Sequence, residues 1–374
     1  MKLNNLEEIN IDTNIIINSQ SLHIIADNCH HLRRLYIDWS YEISNESIEY
    51  FGKKCGQRLE LLSINNPIGY LSAKMISHLL SFTPNLVSLK VSSLDSRLLL
   101  NDNSDILLPK LRQFECNFIE TIEMFEIINR YGHQLVSLNT KLKAYLTNRD
   151  NYNRVISSLK HYHRLQSLEL QLRFGQFTTE EIYVINQRIG SQLADNCSHL
   201  RRLSIEFVYI DNDFKNLLIF KSFRHLRQLS QLRHLRICFN GLSDNDFENI
   251  GQYLPKLESL VIESYEVLTD KTLQYISELT RLKSLEIYCN TYATITDSGV
   301  KQLLDNCPDI KTLVIMCRYR SHVCISAKII EPLKQKAKQM PKTRYYMAFR
   351  INKNEILKDS LKDMPSNLKI DFNV

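Results

Sequence analysis

The sequence predicts an α/β solenoid, a stack of helix-and-strand repeats whose short strands lie in parallel, on three observations. The segment Ala26-Asp27-Asn28-Cys29-His30-His31-Leu32-Arg33-Arg34-Leu35-Tyr36-Ile37 returns almost letter for letter as Ala194-Asp195-Asn196-Cys197-Ser198-His199-Leu200-Arg201-Arg202-Leu203-Ser204-Ile205. A Leu-x-x-Leu-x-Ile pattern recurs, its first apolar place filled by Leu6, Leu32, Leu59, Leu86, Leu111, Leu135, Leu165, Leu200, Leu232, Leu257, Leu282 and Ile310. Between copies the apolar spacing turns helical, as in Ile48 with Phe51, Phe247 with Ile250, and Val300 with Leu303 and Leu304.

Each copy supplies alternating apolar residues that bury one side of a short strand, for example Leu86/Leu89/Val91, Leu165/Leu168/Leu170, Leu257/Leu260/Ile262 and Ile310/Leu313/Ile315. Most steps between copies are 24 to 30 residues, the period of leucine-rich repeats. One unit cannot cover its own apolar side, and stacked units share a continuous core. The expected shape is therefore a leucine-rich-repeat solenoid, a horseshoe with a concave parallel β-sheet and convex helices. Helices begin at Leu242-Ser243-Asp244, Leu268-Thr269-Asp270 and Ile295-Thr296-Asp297, where a hydroxyl or carboxylate can take first-turn amides. Pro84, Pro109, Pro255 and Pro308 stand two places before the strand leucine and end the preceding helix.

The tail keeps the pattern. Gln339-Met340-Pro341 is followed one period later by Asp363-Met364-Pro365, which places weak strand templates at Thr343/Tyr346/Ala348 and Asn367/Ile370/Phe372. Helical segments precede them at 329–338 and 355–363. The organisation read from this is a repeat array over residues 1–318 and degenerate C-terminal repeats, or a cap continuous with the array, over 319–374.

The run from Ile295 to Ile315, ITDSGVKQLLDNCPDIKTLVI, resembles the cysteine-containing, RNI-like leucine-rich repeat of F-box proteins, the substrate receptors of SCF-type ubiquitin ligases. Cys29, Cys55, Cys197 and Cys307 occupy that family's helix-end cysteine position, while Thr83 and Leu254 stand near it in degenerate copies. The resemblance implies a substrate-recognition repeat domain acting in ubiquitin-dependent protein degradation. A Skp-type adaptor and a cullin are expected partners only if an F-box lies upstream, because too few residues precede the strand at Leu6-Ile9-Ile11 to hold one. A stand-alone repeat adaptor or regulator unrelated to ubiquitin stays open beside that reading.

Composition bounds the rest. No apolar stretch reaches bilayer length, and Met1 to Glu8 is acidic where a signal peptide needs an apolar core, so a cytoplasmic or nuclear protein is expected. Nine cysteines, an odd count, several at repeat-equivalent positions, read as reduced, packed thiols. Cys29-His30-His31 and Cys197-Ser198-His199 lie about six repeats apart and cannot converge on one zinc ion. Cys317 and Cys324, near Arg318 and Arg320, have no evident base to activate them. No phosphate loop, dinucleotide fingerprint or nucleophile elbow is present, and Thr178-x-x-Glu181 reads as a capping box. The expectation is no enzyme, no cofactor and no metal.

Function then falls on surfaces. The third, fifth and seventh places of each repeat point out of the strand, which nominates Arg34, Tyr36, Lys90, Arg202, His234, Arg236, Tyr288, Val314 and Met316 for partner binding. The face is polar in its middle, followed by an arginine and histidine cluster and an apolar end, which suits a protein partner, acidic or phosphorylated. Lys221, Arg224, His225, Arg227, Arg233, His234 and Arg236 form a basic stretch that could meet phosphates of a nucleic acid. The net charge of only +6 and sparse aromatic residues beside it argue against that. Longer repeats with extra residues around 144–153, 174–179 and 208–214 are a second candidate surface.

Overall fold

The computed structural model describes residues 5–11, 17–38, 43–65, 73–94, 108–119, 128–146, 149–174, 178–209, 223–239, 242–264, 267–289, 294–317, 325–349 and 363–372. The chain divides into two compact units, Met1–Phe174 and Gly175–Val374. Each is a stretch of leucine-rich-repeat solenoid, with strands following one another in chain order.

The first unit carries β1 (Glu8–Ile11), β2 (Arg34–Asp38), β3 (Leu61–Asn65), β4 (Ser88–Leu94), β5 (Gln113–Ile119), β6 (Ser137–Leu146) and β7 (Ser167–Phe174), all paired in parallel. Its helices are α1 (Ser19–Asn28), α2 (Asn45–Cys55), α3 (Ala73–Ser81) and α4 (Arg149–Ser158). The second unit carries β8 (Arg202–Tyr209), β9 (His234–Phe239), β10 (Ser259–Ser264), β11 (Ser284–Cys289), β12 (Thr312–Cys317), β13 (Tyr345–Phe349) and β14 (Leu368–Phe372). Its helices are α5 (Thr179–Asn196), α6 (Phe223–Leu226), α7 (Ile250–Tyr253), α8 (Asp270–Ile276), α9 (Asp297–Asn306) and α10 (Ile330–Gln339).

The register is that of the sequence template. Leu203, Leu235, Leu260, Leu285 and Leu313 lie opposite one another on successive strands, and so do Ile205, Ile237, Ile262, Ile287 and Ile315. The first template place, from Leu32 to Ile310, is at most 2% exposed throughout. A slip of one residue would turn every such side chain to the other face, and burying each leucine stabilises by roughly 1.5 to 3 kcal/mol. At the second place a single carbonyl takes two amides of the next repeat. Arg33 O accepts from Glu60 N at 2.8 Å and Leu61 N at 3.1 Å, and Glu258 O from Lys283 N at 2.8 Å and Ser284 N at 3.1 Å.

Helix ends are closed as the cysteine pattern predicts. Cys29, Cys197 and Cys307 each cap a helix through their backbone amide at 2.9 Å. The Cys307 thiol also points at Ser277 O, 3.6 Å, and Leu279 O, 3.5 Å, in the preceding repeat. Thr83 fills the equivalent place in its repeat with its hydroxyl on Leu80 O at 3.0 Å. In the tail, the Asn367 amide substitutes for the strand leucine and donates to Ala337 O, Met340 O and Thr343 O, which gather at the end of α10.

At the helix starts, the aspartates do something the sequence reading did not assign. Asp244 accepts from Thr269 N at 3.0 Å and Thr269 Oγ1 at 2.7 Å. Asp270 accepts from Thr296 N at 2.8 Å and Thr296 Oγ1 at 2.6 Å, and Asp297 from Ser326 N at 2.8 Å and the Ser326 hydroxyl. Each carboxylate thus reaches forward into the next repeat, while hydroxyls such as Thr269 cap their own helix. A Cβ added at Gly299 would overlap the Asp270 carboxylate, so glycine is what lets this rung form. The Thr178 and Glu181 capping box forms as expected.

One template needs correction. In β13 the core places belong to Met347 and Phe349, opposite Leu313 and Ile315, not to Tyr346 and Ala348 as the proline spacing suggested. Tyr346 faces outward at 37% exposure, because this register buries Tyr345, Met347 and Phe349 and leaves the phenol in water. β14 keeps the expected Ile370 and Phe372 register. The helix expected at 355–363 falls almost wholly outside the described residues.

Replacing Leu203 or Leu285 with alanine should lower stability by about 2 to 5 kcal/mol, as expected for a buried leucine leaving a cavity. An unchanged urea midpoint would contradict their placement. Gly299→Ala should destabilise by about 1 to 3 kcal/mol, since Asp270 must swing away from buried donors. If the clash is the cause, Gly299→Ala combined with Asp270→Ala should cost less than the sum of the two single changes.

Candidate functional site

The third, fifth and seventh places of each repeat form the open face of the sheet, opposite the leucine core. On the first unit, Arg34 Nε sits 2.6 Å from Glu8 Oε2, and Lys90 Nζ 3.0 Å from Glu115 Oε2. Tyr36 lies half-buried in register between Asn10 and Ser63. The two cations nominated from this unit therefore already meet a carboxylate one strand away.

On the second unit, Arg202 and His234 are register neighbours on β8 and β9. Burial, and then the charge of Arg202, hold the His234 pKa below the ordinary imidazole value, so its ring is neutral at pH 7. Arg236 is ion-paired to Glu263, whose other oxygen faces the Cys238 thiol at 3.6 Å. Burial pushes that thiol up to about 12, with Glu263 and Glu206 adding to it.

Tyr288 donates its phenol to Glu286 at 2.8 Å, and its own pKa is raised to about 12 by burial and by that bond. Tyr288 pairs in register with Met316, while Val314, only 5% exposed, has Glu286 and Ala348 as register neighbours. Val261 stands on the other side of Glu286, Tyr346 is in register with Thr312, and the Lys369 ammonium lies 5.2 Å from the centre of the Tyr346 ring. Tyr346 was missed from sequence because the β13 register was displaced by one; the alternation Tyr345/Met347/Phe349 was the available signal.

The basic stretch does not stay together. Arg227 lies over the Tyr253 ring at 4.5 Å and donates to Glu248 O at 3.0 Å. Arg233 stands at the strand start beside Glu258 at 3.0 Å, and that carboxylate also holds Lys283 at 2.7 Å. These contacts, led by the bond from Lys283, hold the Glu258 carboxyl below the usual carboxylate range. Arg236 turns to the open face beside His234 and has its own carboxylate partner. Lys221 and the side chain of Arg224 lie outside the described residues, as do Arg318, Arg320, Cys324 and parts of the longer loops.

Among the described residues no group of three or more metal-ligating side chains occurs, and no helix is long and apolar enough to cross a membrane. The seven cysteines whose side chains are described are buried and reduced. Burial raises the Cys197 thiol to about 12 and the Cys307 thiol to about 11.

No family model matches the chain, and no curated protein matches it in sequence. Among solved structures, the yeast Rad7 and Elc1 complex aligns over 95% of this chain and 83% of that one, at 16% identity and a TM-score of 0.55. That likeness shows the fold. The leucine-rich-repeat protein LegL7 of Legionella pneumophila aligns over 80% of this chain and 96% of that one, at 12% identity and TM-score 0.41. A TLR13–ssRNA13 complex aligns over 98% of this chain and 46% of that one, at 14% identity and TM-score 0.40.

A thiol this well buried is a poor nucleophile. Cys197 and Cys307 should resist an aromatic disulfide reagent in the native protein at pH 8 and react at once in denaturant, with mass spectrometry of the labelled peptides as readout. Fast native labelling of either would overturn their burial.

Proposed function

We propose that this chain is a non-enzymatic protein-interaction array resembling the substrate-recognition repeats of an F-box subunit of an SCF-type ubiquitin ligase, working in the cytosol or nucleus. One observation carries the binding role. One face of each strand is occupied by the leucine core, whereas the other presents side chains such as Arg202, Tyr288, Met316 and Tyr346 outside that core, half-buried or exposed. The helix-end cysteines support the F-box side of the reading, and the likeness to the Rad7 and Elc1 complex supports the repeat fold on which it rests. Tyr288, Met316 and Tyr346 on this face are the aromatic and methionine side chains that interface centres favour.

Affinity capture from cell extract with the full chain, compared with a Tyr288→Ala/Tyr346→Ala variant, tests this. At least tenfold lower recovery of a specific partner by the variant is expected, with a Skp-type adaptor and a cullin among the captured proteins. A partner recovered without adaptor or cullin would make the chain a stand-alone adaptor. Equal recovery by both proteins would remove the open face from the proposal.

A further inference from the structure

A cleft of about 420 Å³ opens on the first unit at the side where helices end and strands begin, away from the open face of the sheet. Its walls come from four successive repeats and include Arg33, Arg58 and Lys110, with Glu60 as the carboxylate among them. Glu60 is already taken by Arg33 at 2.9 Å. The Arg58 guanidinium is fixed in place by a 2.7 Å hydrogen bond from one terminal nitrogen to Lys54 O, which leaves its other N–H groups available to a ligand. The Gln57 backbone is anchored by the Asn85 amide at 2.7 Å, so the cleft wall is tied across repeats. The His31 imidazole and the Gln57 side-chain amide complete a lining rich in donors.

The geometry points to this cleft as a site for one phosphate monoester carried on a protein segment, a phosphoserine or phosphothreonine side chain. A held guanidinium plus an ammonium is the arrangement that recognises a dianionic phosphate. Here three cations face one carboxylate, whereas Lys90, Arg233 and Arg236, toward the open face and strand start, each have a carboxylate partner. A nucleic acid would ask for a track of phosphate contacts and aromatic platforms for its bases, and no Phe, Tyr or Trp side chain lines the cleft. The inference rests on the reading of the chain as a protein-binding array and places its phosphate recognition off the sheet, where the sequence had put it at Arg202, His234 and Arg236.

Fluorescence anisotropy with the purified full chain tests it directly. The probes are a short labelled alanine peptide with a central phosphoserine, its unphosphorylated twin, inorganic phosphate as competitor and a short labelled uridine oligonucleotide. Binding of the phosphopeptide over its twin is expected, with at least tenfold loss in Arg58→Ala and in Lys110→Glu, and no change in Lys301→Ala, an exposed lysine of the second unit. Lys110 is exposed, so Lys110→Glu keeps the test valid should Arg58→Ala lose its fold by circular dichroism. Four results would each overturn the site: no preference for the phosphopeptide, binding indifferent to Lys110→Glu, competition by inorganic phosphate at the peptide's own affinity, or tighter binding of the oligonucleotide with the same sensitivity. Failure here leaves the open-face capture result standing, because that assay uses neither these residues nor these probes.

Discussion

Everything in this chain depends on one carbonyl per repeat. The residue after the first template leucine turns its C=O toward the next repeat and receives two amides there, as Arg33 does for Glu60 and Leu61 and Arg233 for Glu258 and Ser259. That bifurcated bond fixes where the next strand begins. Once the start is fixed, alternation puts Leu62 or Leu260 on the core side without further instruction. Because each repeat contacts chiefly its neighbours, the same bond repeated is what propagates the stack.

Polar groups follow the same logic of neighbours in space rather than in sequence. The aspartate that opens one helix satisfies the hydroxyl and amide that open the next, from Asp244 to Thr269 and Asp270 to Thr296. The cost of burying those donors is thereby met across repeats. Charges behave likewise: Glu258 lies between Arg233 and Lys283, and Glu263 binds Arg236 from the adjacent strand. A run of bases in the linear chain becomes, in three dimensions, a set of locally matched pairs. This is why the stretch from Arg227 to Arg236 makes a poor track for a polyanion, whereas the cleft near Arg58 and Lys110 keeps an excess of positive charge.

The cysteines belong to packing. At the end of a helix a side chain must be small enough to sit against the preceding repeat and still offer a weak donor to its carbonyls, and Cys307 meets both demands with Ser277 and Leu279. Thr83 is also small and buried, but its hydroxyl turns back on Leu80 O of its own helix. Desolvation then keeps the thiols protonated, which separates them from catalytic or metal-binding cysteines.

From the sequence alone, the repeat period, the leucine and isoleucine register and the helix-end cysteines were legible. Those are set by local alternation and by side-chain size, which each repeat declares for itself. The β13 register was not, because Tyr345, Tyr346 and Met347 are all large enough to fill a core place, and only the pairing of Leu313 with Met347 chooses among them. Nor was the partner of any charge, since Glu263 stands 27 residues from Arg236 in the chain yet next to it in the sheet. The cleft lined by Arg33, Arg58 and Lys110 was invisible for the same reason: its walls come from four repeats, and only stacking brings them to one place.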